Sequence, residues 1–261
     1  MSQLGRLSGP AGYAQLMDPT ARPQSGRPAE LVVAIPGVTG DAGRAAARAF
    51  ATAGARLGLI GTDAGRLEAL ASELGLADDR WHAGVADVCT PDGARRAIAA
   101  VREALGAVDV LLYVVGGWNG GSPTVDVAAS DFDEMLYQHL YGTLHTVQEV
   151  VPGMVERGWG RVMVISTPLA SEPGPRGGGY VAAKAAQEAL IRTLARDLAG
   201  SGVTANVIVV RTIDAKHERA SQPSAKNASW TTPEEIAEVM LMLASDAAGA
   251  INGARIPLYG R

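Results

Sequence analysis

The sequence predicts an α/β protein: a parallel sheet of about seven strands, wound in both directions, with helices on both faces. Three observations predict it. From Leu31 onward, short apolar runs alternate with helical patterns. The first of these runs, residues 31–35, is continuously apolar, as expected of a strand buried on both faces. A glycine-rich turn joins the first run to its helix, and strict β-α alternation requires right-handed crossovers.

Each element follows in order. Residues 31–35, Leu-Val-Val-Ala-Ile, form the first strand, and the alanine-rich stretch 43–53 forms the first helix. Residues 57–60 are the second strand and 66–74, rich in leucine and alanine, the second helix. A third strand spans 81–88, and Pro91, tolerated in a first turn, opens a helix to about residue 105. Residues 108–115 are strand-like. Ser130 is placed to cap a long helix to about residue 156, which Pro152 should end or kink. Residues 161–165, 180–198 and 203–210 continue the strand-helix-strand order. Thr232 and Pro233 with Glu234 and Glu235 make a helix start, running to Leu243. A short strand, 255–258, follows Asn252-Gly253. No repeat or mid-chain linker intervenes, so residues 31–261 read as one domain. Residues 1–30 hold many glycines and prolines and no apolar h-region, and read as an irregular arm, not a signal peptide.

Composition narrows the partners. With 47% hydrophobic and 19% charged residues the chain is ordinary for a globular protein. A net charge of −4 gives no basis for binding nucleic acid or an anionic membrane. Cys89 is the single cysteine, which excludes an intrachain disulfide and fits a reducing compartment. No apolar run reaches the roughly 18 residues of a membrane span. A cytoplasmic protein with no metal centre is the expectation.

The turn after the first strand reads Gly37-Val38-Thr39-Gly40-Asp41-Ala42-Gly43. Between a strand and a helix, such glycines let the backbone approach a pyrophosphate, and the helix N-terminus supplies free N–H groups. The sheet is therefore predicted to be of the Rossmann type, with Gly37, Thr39, Gly40 and Gly43 holding a dinucleotide. The spacing is G-x-x-G-x-x-G, looser than G-x-G-x-x-G. Asp41 would repel a pyrophosphate, so its side chain is expected to point away and cap the helix. The second strand ends Ile60-Gly61-Thr62-Asp63. Gly61 offers no carboxylate to an adenosine ribose, and Asp63 can either reach one or cap the next helix. Room at Gly61 and Thr62 favours NADP(H), with NAD(H) open.

Tyr180 and Lys184, four apart at a helix start, share one face. A lysine ammonium near a phenol stabilises phenolate, lowers its pKa and makes it a usable acid/base. With Tyr180-Val181-Ala182-Ala183-Lys184 stand the glycine loop, Asp87-Val88, Gly116-Gly117, Thr167 thirteen residues before Tyr180, Asn206, and Asn252-Gly253-Ala254-Arg255-Ile256-Pro257. In this order they resemble the short-chain dehydrogenase/reductase family, from about Leu31 to the C-terminus.

The resemblance implies hydride transfer between a nicotinamide and a carbonyl or alcohol, with Tyr180 moving the proton at the substrate oxygen. Lys184 would hold the nicotinamide ribose and tune Tyr180. Thr167 stands at the family's serine, with Ser166 in reserve. His139 stands at the family's asparagine, as a proton relay or as a satisfied structural histidine. Gly37, Thr39, Gly40, Gly43, Thr62, Asp87, Val88, Gly116, Lys184 and Ile213 would contact NAD(P)(H). A homo-oligomer, a tetramer packed through its long helices, is implied in the same way.

Several positions depart from the family. Tyr113-Val114-Val115-Gly116 replaces Asn-Asn-Ala-Gly, and Val210-Arg211 replaces Pro-Gly. Arg211 either faces a cofactor or acidic substrate or is an exposed loop residue. Gly116-Gly117-Trp118-Asn119-Gly120-Gly121, Thr212-Ile213-Asp214 and Ser229-Trp230-Thr231 are similar to stretches of dihydropteridine reductases, which makes a pterin or quinonoid substrate an alternative. Trp118 would stack on a flat ring, or serve a core or subunit interface. The polar segment 215–229 is placed as a mobile substrate lid. A non-catalytic dinucleotide-binding regulatory module is the competing class, supported by Asp41, His139, Tyr113 and Arg211.

Overall fold

A computed structural model describes residues 31–259; the arm expected over 1–30 lies outside the described residues. Seven parallel strands lie in the order β3-β2-β1-β4-β5-β6-β7: β1 Val32–Pro36, β2 Arg56–Gly61, β3 Trp81–Val85, β4 Val110–Tyr113, β5 Gly160–Ser166, β6 Val203–Val209 and β7 Arg255–Pro257. The chain leaves β1 toward β2 on one side and re-enters at β4 on the other. That reversal opens a crevice at the C-terminal ends of β1 and β4. The fold is a Rossmann-type α/β sheet.

Every residue of β1 and β6 is buried, which explains the unbroken apolar run of β1; in β6 the buried Asn206 donates to the Ile251 carbonyl at 2.7 Å. One face is covered by α3 (Pro91–Leu105), α5 (Gly142–Arg157) and α6 (Gly178–Asp197), around Ile98, Val101, Val151, Met154 and Ile191. The other carries α1 (Asp41–Thr52), α2 (Ala64–Glu73) and α8 (Pro233–Ala244), around Phe50, Leu67, Leu70, Ile236 and Met240. The start of α8 is a full capping box: Thr232 Oγ1 accepts from the Glu235 N–H and the Glu235 carboxylate accepts from the Thr232 N–H.

Other ends differ from expectation. Asp41 does not cap α1; it is the first residue of the helix, Gly40 is the N-cap, and no side chain caps it. A residue inside the first turn helps through the helix dipole instead. Ser130 lies inside α4 (Ala129–Leu136), whose N-cap is Ala128. Pro152 does not end the long helix, because α5 runs through it to Arg157, with Gly158 in the left-handed conformation as the stop. Asp63 caps α2, its Oδ1 accepting from the Arg66 N–H at 3.1 Å.

Between α4 and α5 the chain makes a π-helical turn, Tyr137–Tyr141, closed by the Gly142 N–H donating to the Tyr137 carbonyl. Such a turn frees backbone carbonyls, and side chains take them up. Tyr113 Oη donates to the Gln138 carbonyl at 2.5 Å and Thr143 Oγ1 to the His139 carbonyl at 2.7 Å. A Cβ at Gly142 would collide with the Tyr113 hydroxyl, so glycine is required there. The segment expected as a mobile lid is a hydrogen-bonded loop with α7 (Glu218–Ser221). The Asp214 carboxylate accepts from the Glu218 and Arg219 N–H groups at 2.8 and 2.9 Å.

Candidate active site

A cavity of about 560 Å³ occupies the crevice above β1, β4, β5 and β6. At one end lie Gly40, Asp41, Ala42 and Gly43, the uncapped N-terminus of α1. At the other lie Ser166 and Thr167 from the end of β5, Tyr180 and Lys184 from α6, and Arg211 to Ile213 beyond β6. Val114 to Trp118 run along the wall between, with His139 behind them. The crevice thus brings together Gly40, Gly43, Gly116, His139, Thr167, Tyr180, Lys184 and Ile213.

Gly37, Thr39, Thr62, Asp87 and Val88 are not among its lining residues. Gly37 adopts a positive φ of 84°, and a Cβ there would strike the Val114–Val115 backbone. Its glycine lets the ends of β1 and β4 pass closely. Gly43 is needed for a similar reason, since a Cβ would meet the Gly37 carbonyl and the Val38 backbone. Thr39 is half-buried and Thr62 exposed. The exposed Asp87 accepts from the Cys89 N–H at 2.9 Å, and Val88 is buried in the core. The Cys89 thiol is pushed up to about 12, chiefly by burial and then by Asp87, which leaves it no nucleophile.

The helical spacing of Tyr180 and Lys184 places both on the cavity face of α6. Burial raises the Tyr180 phenol above its ordinary value, and a hydrogen bond with Thr167 opposes that rise. This corrects the expectation that Lys184 lowers Tyr180: burial wins. Lys184 Nζ is committed to two acceptors, the Ile165 carbonyl at 2.8 Å and Gln187 Oε1 at 3.0 Å. Burial pulls the Lys184 ammonium down to about 7, opposed by the Glu188 charge. The Glu188 carboxylate is paired with Arg255 Nε at 2.9 Å.

The tether of Lys184 continues inward. Gln187 Nε2 donates to Thr143 Oγ1 at 2.8 Å, and Thr143 in turn donates to the His139 carbonyl. Gln187 and Thr143 are fully buried. An uninterrupted chain of hydrogen bonds therefore runs from α6 to the π turn. Gln187 was not singled out in the sequence; its signal was its place three residues after Lys184, a polar side chain on the inward face.

His139 is buried, with its Nε2 3.0 Å from the Gly117 carbonyl. A carbonyl only accepts, so this contact sets Nε2 as the protonated nitrogen. Burial first, then the Lys184 charge, pulls His139 down to about 3, against the Gly117 hydrogen bond. Burial thus favours the neutral ring. It holds the cavity wall: a Cβ on Gly116 would overlap the imidazole. The Tyr180 ring meets it edge-on, centroids 5.5 Å apart.

Residues 37–260 match the profile of the family described as Enoyl-(Acyl carrier protein) reductase. The D-threitol dehydrogenase of Mycolicibacterium smegmatis is 30% identical over 239 residues, covering 88% of this chain and 91% of its own length. The D-beta-hydroxybutyrate dehydrogenase of Rhizobium meliloti is 29% identical over 255 residues, 87% of this chain and 96% of its own. The serine 3-dehydrogenase of Agrobacterium fabrum is 30% identical over 223 residues, with 82% and 87% covered. The chain belongs to the short-chain dehydrogenase/reductase family.

As a short-chain dehydrogenase/reductase it is an oxidoreductase. Within that family the departures now have positions. Tyr113 is buried and supports the π turn. Trp118 is 63% exposed and lines the cavity, so it is neither core nor buried wall. Arg211 also lines the cavity, its guanidinium 5.6 Å from the centre of the Tyr259 ring. Among the described residues, no helix is long and apolar enough to cross a membrane, and no group of three or more His, Cys, Asp or Glu could hold a metal ion.

Proposed function

We propose that this short-chain dehydrogenase/reductase is an NAD(P)-dependent enzyme interconverting a small alcohol and its carbonyl compound, with Tyr180 as the acid/base. One observation carries the reading: Thr167, Tyr180 and Lys184 share one end of a cavity whose other end is an uncapped helix N-terminus. The residues fit a dinucleotide. The first-turn N–H groups of α1 have no side-chain cap, and a Cβ on Gly40 would find only the Gly37 carbonyl, at 3.6 Å. Gly40 and Gly43 would hold the pyrophosphate there, and Gly116, Lys184 and Ile213 the nicotinamide half. Bound nicotinamide supplies or accepts the hydride.

The chain's own groups do the rest. Tyr180 Oη protonates the substrate oxygen in reduction and takes that proton back in oxidation. The Thr167 hydroxyl donates to Tyr180 Oη and so favours the phenolate; in the substrate complex its one proton turns instead to the substrate oxygen. Lys184, fixed by the Ile165 carbonyl and Gln187, would hold the nicotinamide ribose in place beside Tyr180. His139 holds the Gly116–Gly117 wall against which the reacting groups align. Asp63 is committed as a helix cap and Thr62 is exposed, so no carboxylate excludes a 2′-phosphate and NADP(H) is favoured. Names of the relatives point to small hydroxylated substrates.

Titration with NADH and NADPH, followed by nicotinamide fluorescence, tests the reading on wild type and Tyr180→Phe. Both proteins should bind, NADPH more tightly. Turnover of small carbonyl compounds should fall by about 10²–10⁴ in the variant. Binding with no turnover by wild type would favour the regulatory module, and no binding would remove the dinucleotide altogether. Exposed Trp118 at the cavity favours one second reading, a flat pterin or quinonoid substrate. Failure to reduce a quinonoid dihydropterin would end it.

A further inference from the structure

The cavity holds a cation that the reaction does not use. Arg211 follows β6, and among the described residues it makes no ion pair with a carboxylate. Its guanidinium faces the Tyr259 ring, a contact that steadies the side chain while leaving the N–H fork available. The other lysine or arginine of the cavity, Lys184, is tethered to Ile165 and Gln187. The acidic residue of the cavity, Asp41, stands at the opposite end, at the α1 N-terminus.

Position decides which anion Arg211 faces. The β5–β6 register pairs Ser166 with Val209, so Arg211 stands one strand over and one residue beyond the level of Thr167. The phosphate-binding turn follows β1, and β4 and β5 lie between β1 and β6. At about 4.8 Å per strand the two sites are on the order of 14 Å apart across the sheet. Arg211 belongs with the reacting end, not the pyrophosphate end.

We infer that Arg211, seated against Tyr259, is a carboxylate-binding subsite, and that the substrate is an oxo acid or hydroxy acid whose reacting carbon lies at Thr167 and Tyr180. For the position of that carbon, the inference rests on the proposed function. A guanidinium fork takes a carboxylate through paired N–H donors, and a partly open site of this kind is worth roughly five- to tenfold in affinity.

The test is a ligand-observed NMR titration of pyruvate, acetoacetate and levulinate against their methyl esters. It uses wild type, Arg211→Gln and Arg211→Lys, with NADPH affinity measured on each. At least one acid should bind wild type five- to tenfold better than its ester. Arg211→Gln should close that gap, and Arg211→Lys should restore part of it, with NADPH affinity held within twofold throughout. Equal binding of acid and ester to wild type overturns the inference. So does a Gln variant that keeps the gap, or one whose main loss is in NADPH affinity, which would assign Arg211 to the cofactor. Acid preference without any hydride transfer would leave the subsite standing and sink the proposed function instead.

Discussion

The two ends of the crevice are built by opposite means. At the α1 end the surface is mostly backbone: glycines permit close packing, the helix N-terminus has no side-chain cap, and the one charged side chain lining that end is Asp41. At the α6 end buried side chains dominate. Lys184, Gln187 and Thr143 form one hydrogen-bonded line from α6 to the π turn, and His139 braces the wall. Backbone sites tolerate substitution of neighbouring side chains. Buried polar networks do not, because each broken link leaves a group unsatisfied.

The contrast can be broken most strongly at His139. In the fold its pKa lies at about 3, whereas an unfolded histidine titrates near 6.5. As pH falls through 6.5 the unfolded chain takes up a proton that the folded one refuses, so stability drops. Between pH 8 and 5 this amounts to about 2 kcal/mol. Urea denaturation of wild type and His139→Asn at both pH values should show the variant losing correspondingly less. Equal losses would mean that the imidazole is hydrated in solution.

A smaller effect should appear at Gln187. Replacing it with leucine leaves both Lys184 Nζ and Thr143 Oγ1 a partner short, with an expected loss in kcat of about tenfold. Losing an acceptor disfavours the ammonium, which burial already pulls down to about 7 in this fold, so if Lys184 governs the proposed reaction the pH–rate midpoint should move down. Gln187→Glu places a negative charge beside the ammonium and should move it up. Profiles that shift the same way in both variants would show only a packing defect.

The smallest effect is expected at the backbone end. Asp41→Asn removes a carboxylate from the cavity mouth and should tighten NADPH binding about three- to fivefold at low salt, less at high salt. Losing the favourable helix dipole contact should cost about 0.5 kcal/mol of stability. Unchanged affinity at both salt concentrations would show that the side chain lies clear of the phosphates.

How much of this was legible depended on whether the controlling contacts were local. The strands could be read because burial on both faces leaves continuous apolar runs, as in Val32–Pro36. The start of α8 could be read because Thr232, Pro233 and Glu235 carry their own cap. Tyr180 and Lys184 could be read from spacing along one helix. Asp41 misled because the helix begins one residue earlier than its cap role needs. The π turn was hidden, since its supports come from β4 through Tyr113 and from the Gly142 contact, distant in sequence. Gln187 was visible as a residue, but its partner Thr143 lies on another helix, so the link between them was not.

The π turn also has a consequence for how this helix could be altered. A turn closed five residues apart holds one residue more than the α pattern, and each residue of an α-helix advances the face by about 100°. Ala129–Leu136 is thus out of phase with Gly142–Arg157 by that angle. Taking out residue 140 or 141 would restore a continuous α-helix and swing every upstream side chain, His139 included, round the axis. The histidine would leave the cavity wall although its own codon was untouched. At this place in the chain length matters as much as identity, and an aligned deletion in a relative would signify a differently built pocket.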